Sequence, residues 1–185
     1  MHQYINEMKE HEFVLWVIGA NAKDKGKFVY ELPKNVVEVH EVFLDDALRL
    51  KDSGKMLHAF TEEETNSLKE LMLCRRPNWE ILFRLYHDQK LNPMSFLRSE
   101  EFLNILTECC IKDYPYTPFA DAFHTMRSML LPVLYLMGSE VPKADVYHAI
   151  CTGYGGLLAC LGGHVYKNFM GTGTSVPQNM DSTPG

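Results

Sequence analysis

Between Tyr114 and Met170 the chain carries six Asp, Glu, Lys or Arg in 57 residues, against 35 in the 113 residues before it. A helix that is apolar almost all round is normally buried, so this stretch limits what the rest of the chain can build. Residues 146–165 run for 20 positions without one Asp, Glu, Lys or Arg, long enough to cross a bilayer. They also hold His148, Thr152 and five glycines, and no cluster of positive charge flanks them. That composition makes insertion into lipid unfavourable, and burial in protein is the expected fate.

The spacing inside this stretch predicts two helices. One begins at Pro118, with Thr117 as its cap, runs to Met137 past an internal Pro132 and ends at Gly138. The other follows Pro142 and carries Ala149, Gly153, Gly156, Cys160 and Gly163 at steps of 4, 3, 4 and 3, which stacks small residues along one face. Tight packing on the neighbouring apolar helix is one use of such a groove, and reception of a partner's helix is another. Gly153-Tyr154-Gly155-Gly156 also reads as a loop, which would break the stripe. Gly156→Leu separates the first two uses, because internal packing predicts loss of folding and a partner groove predicts a folded chain without its partner.

Earlier in the chain the signals are mixed. The run from Phe13 to Ile18 reads as a strand, and residues 27–32 alternate beyond a turn-rich stretch, so a β-hairpin is expected. Residues 35–40 supply a third short antiparallel strand or the start of a helix reaching about Lys51. A strand passing into a helix near Glu41 is the preferred reading. Both faces of the first strand are apolar, and the one turned from the core needs a second cover. Thr61-Glu62-Glu63-Glu64 is a capping box that opens a helix to about Arg75. Helices are further expected over residues 78–88, with Trp79, Leu82, Phe83 and Tyr86 as its stripe, and from Ser99 to Lys112, with Phe102, Leu103, Leu106 and Cys110 on one face. Asn92-Pro93 marks a turn, and residues 113–118 a rigid connection.

The expected fold is therefore α+β and mainly α, with an N-terminal β-hairpin packed on about five to six helices. One globular domain should cover residues 1–170: the hairpin and first helix to residue 52, amphipathic helices over 53–113, and an apolar helical hairpin over 114–170. Residues 171–185, rich in Gly, Ser, Thr and Pro, should form a disordered tail.

The functional signals exclude more than they assign. A net charge of −6 disfavours phosphate backbones and anionic membranes. Five cysteines in apolar patterns, without a basic and apolar leader, fit a reducing, cytoplasmic setting. No Cys-x-x-Cys or His-Glu-x-x-His is present, so neither metal nor cofactor is expected, although Asp121 and His124 could share a helical turn. The Gly153–Gly156 cluster lacks the lysine of a phosphate loop. Residues 74–79 (Cys-Arg-Arg-Pro-Asn-Trp), with Arg84 and Tyr86, make up the one basic and aromatic cluster, better suited to an acidic protein partner than to nucleic acid.

These features favour a non-enzymatic protein-interaction module, an adaptor or chaperone-like subunit of a larger complex such as a bacterial secretion or effector-recruitment assembly. Its partner would be another protein or a second copy of the chain. Apolar supply motivates this, including ten Met, a side chain suited to adaptable surfaces. The candidate partner-binding residues are Trp16, Trp79, Phe83, Tyr86, Ala149, Gly153, Gly156 and Cys160. The alternative is a small cytosolic enzyme with a Cys/His or Asp/His site near the glycine-rich helix, using Cys151 or Cys160. Accelerated alkylation near neutral pH would reveal its nucleophile.

Overall fold

The computed structural model describes residues 2–51, 58–150, 152–167 and 169–172. The fold is α+β and mainly α, and the chain divides into two compact units, each described by itself. The helical unit comprises Trp16–Val29 and Glu41–Glu140, and the mixed unit the described parts of Met1–Leu15, Tyr30–His40 and Val141–Gly185.

The strands are parallel, which corrects the expected hairpin. Strand β1 (Phe13–Gly19) neighbours β2 (Val36–Phe43). The amide of Phe13 donates to the Asn35 carbonyl and that of Asp45 to the Ala20 carbonyl, so partner numbers rise together. Residues 27–32 form no strand, and their side chains are largely exposed, Val29 and Tyr30 above all. The alternation there does not make a strand: parallel pairing demands a long crossover, and these residues are part of it. Beyond β2 the chain makes a 3-10 helix (Leu44–Arg49) rather than the expected α-helix.

In the helical unit the caps written in the sequence set the boundaries. Helix α2 (Glu62–Met72) starts at the Thr61 capping box, with both reciprocal bonds formed. It stops short of Arg75 because Cys74 turns left-handed at φ 53°. The Arg75 amide then donates to the Glu70 carbonyl and the Cys74 amide to that of Leu71, a Schellman closure made without glycine. Helix α3 (Trp79–His87) is capped by the Asn78 side chain and ends the same way at Gln89, φ 56°. Asn92-Pro93 does more than turn: Asn92 caps the single-turn helix α4 (Pro93–Phe96). Helix α5 (Glu100–Lys112) follows its Ser99 cap. Its buried face is Phe102, Ile105, Leu106 and Cys109, rotated from the expected one, since Leu103 lies exposed. Helix α6 (Phe119–Met137) runs through Pro132 to Gly138. Its N-cap position is taken by Pro118, with no side-chain cap, so Thr117 sits one residue too early for the role expected of it. Phe96, Phe102, Leu82, Leu106, Leu134 and Leu136 fill the centre of this unit with almost no exposure.

In the mixed unit, helix α1 (His2–Glu7), which no sequence signal announced, is held at its C-terminal end by the Asn35 amide group, which donates to the carbonyls of Ile5 and Met8. Residues expected to open the last long helix instead form strand β3 (Val146–Ala149). Helix α7 (Tyr154–Tyr166) follows, and β4 (Phe169–Thr172) returns parallel to β3, with Val146 opposite Phe169 and Ala149 opposite Thr172. The helical stripe is thereby broken between Ala149 and Gly153, but Gly153-Tyr154-Gly155-Gly156 is not a loop: Gly153 is the N-cap and the other three residues open α7. Gly153 has φ 77°, a conformation open to glycine and costly for other residues. The tight spot in α7 is Gly162, where a Cβ would come within 2.5 Å of the Tyr147 ring. That ring is fixed by its hydroxyl, which donates to the Pro142 carbonyl at 2.6 Å. The expected tail from residue 171 lies largely outside the described residues, as does Cys151.

Candidate interaction site

The basic and aromatic cluster at residues 74–79 lies on a real depression of the helical unit. The turn after α2 supplies Cys74, Arg75 and Pro77, α3 supplies Trp79, and α6 supplies Met129, Leu130 and Val133 to a groove of about 160 Å³ that Leu71 completes. Its walls are apolar because Leu71 and Leu130, at the edges of the buried faces of α2 and α6, meet the partly buried Met129 and Val133 there, and Pro77 helps to close the turn after α2. Trp79 stacks on Phe83 with ring centroids 5.8 Å apart and is only half-buried. The Cys74 thiol lies 3.5 Å from the Met129 sulfur. At the rim, the Arg75 guanidinium reaches Asp113 at 2.5 Å and Glu70 at 3.6 Å. The Asp113 bond and charge, with the smaller effect of Glu70, raise the Arg75 pKa above its ordinary value.

Asp113 opens the connection between α5 and α6, where large apolar side chains face solvent. Tyr116 is 98% exposed, Ile111 71%, Phe119 46% and Tyr114 39%. Single exposed apolar residues are normal on a protein surface, but four within nine positions are a patch. The prolines at 115 and 118 hold this segment out of helix, which leaves Tyr116 no local surface to cover it. Sequence reasoning treated these residues as a connection and missed the patch; an aromatic between two prolines was the available signal.

The expected partner-binding residues do not converge. Of them, Trp79 alone lines the groove. Phe83 is buried, and the half-buried Tyr86 lies against Gly138, where a Cβ would come within 2.6 Å of its ring. Burial, with the nearby Tyr135, pushes the Tyr86 hydroxyl up to about 12. Trp16 is half-buried, and its indole N–H is buried without a hydrogen-bond partner among the described residues. In the mixed unit Ala149 is buried against Tyr147 and Ala159, whereas a Cβ at Gly153 or Gly156 would meet open space. Cys160 is half-buried, and burial raises its pKa, as it does for Cys109, away from the thiolate a nucleophile needs.

Among the described residues no group of three or more His, Cys, Asp or Glu could hold a metal ion. No helix among them is long and apolar enough to cross a membrane. A family model matches residues 1–170, nearly the whole chain. The chain belongs to the family described as a domain of unknown function, DUF3492. No curated protein and no solved structure gives a match. In this DUF3492 chain the match includes both the groove and the exposed α5–α6 connection.

Proposed function

We propose that this chain is a protein-interaction module, a subunit or domain that engages a partner polypeptide through apolar surface on its helical unit. The observation that carries the reading is the exposed run at Ile111, Tyr114, Tyr116 and Phe119. Leaving that much apolar area in water forgoes about 25 cal/mol for each Å² that could have been covered. A contact with another protein recovers it, and the aromatic content of the run matches the residues that anchor interfaces.

The test is a triple variant, Ile111→Ser, Tyr116→Ser and Phe119→Ser. Ile111 and Tyr116 stand largely in solvent and Phe119 about half so, and the thermal midpoint should therefore fall only slightly below that of the parent chain. Binding of an apolar fluorescent dye and retention of the native partner on affinity purification should both fall. Unchanged dye binding together with unchanged partner retention sinks the reading.

A further inference from the structure

The groove and the exposed connection lie together. Arg75, a groove residue, bonds to Asp113, the first residue of the connection, which ties the groove's rim to the segment that carries the exposed Tyr116 three residues on. Adjacency of this kind is what a two-fold interface needs, because the same patch must serve both copies, with each feature meeting the other's complement. An apolar cavity of about 150 Å³ takes a benzene-sized guest, so the groove, at about 160 Å³, suits one phenol ring. Charge agrees with shape. Arg76, beside the groove, and Asp121, on the first turn of α6 past the connection, are both exposed and make no ion pair among the described residues.

We propose that the partner accommodated by this face is a second copy of the chain, with Tyr116 of each copy seated in the groove of the other and Arg76 of each set against Asp121 of the other. The proposal rests on the interaction-module reading and narrows it to self-pairing. A two-fold contact closes on itself, so the product is a dimer and not a fibre. Arg75 stays committed to Asp113 and Glu70 within its own copy and frames the hole.

Sedimentation velocity of the full chain, from about 1 to 100 µM, tests it. The expected result is a monomer–dimer equilibrium in which Tyr116→Ser weakens association by at least about tenfold. Because Tyr116 is 98% exposed, that variant should keep the parent's circular dichroism and thermal midpoint. Arg76→Glu and Asp121→Arg should each weaken the dimer by about fivefold, and the double reversal should restore it. A parent chain that stays monomeric throughout the range overturns the proposal, as does a dimer indifferent to Tyr116→Ser. A monomer whose capture of some other protein is lost in Tyr116→Ser overturns self-pairing and leaves the interaction-module reading standing.

Discussion

Gly156 and Gly162 share one helix but answer to different physics. At Gly162 the Tyr147 ring occupies the space a Cβ would need, and the ring's hydroxyl bond to Pro142 prevents it from swinging aside. Gly162→Ala should lower stability by about 1–3 kcal/mol, measured by denaturant unfolding. At Gly156 the space is open, so Gly156→Ala should be neutral or stabilising by up to about 0.5–1 kcal/mol in the same measurement. The spacing of small residues pointed to Gly156 and passed over Gly162, because the ring that needs room comes from β3, which the pattern had assigned to helix. Glutamine in the left-handed position after α3 is a second local anomaly. Gln89 is exposed with φ 56°, and a residue with a Cβ there costs roughly 1 kcal/mol that glycine does not. Gln89→Gly should therefore raise the denaturation midpoint, with the slope unchanged.

Helix boundaries were legible where a side chain makes them. Thr61, Asn78 and Ser99 each accept from the amide three residues on, and the elements they open begin where the sequence places them. The strands were less legible, since the direction of pairing depends on which distant segment arrives: the alternation at 27–32 is as good as that at 36–43, and of the two only the latter forms a strand. The ion pairs between α2 and α5 carry a pH signature. Glu108 is bonded to Lys112 at 2.7 Å and to Lys69 at 2.6 Å, which lowers its pKa to about 2. Glu64 also titrates low: burial opposes the shift, but the Thr61 amide and His58 outweigh it. A depressed carboxylate stabilises the folded state fully above its ordinary range near 4.5, and that contribution fades as pH falls toward the folded value. Glu108→Gln should lower the thermal midpoint at neutral pH, where the carboxylate's contribution is fully present, and flatten its fall between about pH 4.5 and 2, so that variant and parent converge at the acid end.

For the molecule as a whole, the mainly helical α+β class could be read from periodicity and caps, because the amphipathic helices over residues 62–112 are locally encoded. Composition pointed to burial for the charge-poor stretch, which holds for the inward faces of α6 and α7 but not for Tyr114, Tyr116 or Phe119, and its division into strand, loop and helix was not legible. Val146–Ala149 is a strand only because Phe169–Thr172 lies beside it, and nothing within four residues records that partner. The candidate site was half legible. Residues 74–79 were singled out for their arginines and Trp79, whereas the groove's far wall, Met129, Leu130 and Val133, comes from a helix some 50 positions away.

The parallel return of β4 onto β3 also orders events in time. Within the β3–α7–β4 motif, β3 gains its partner strand only after α7 has formed and Thr172 has been made, so a nascent chain halted at residue 167 carries β3 without it. Loop closure across α7 must come before the paired strands reward it, which makes this corner a late step in folding. A ribosome-arrest series monitored by protease resistance should show protection of residues 146–166 appearing abruptly once Thr172 clears the exit tunnel; gradual protection from residue 160 onward would contradict it.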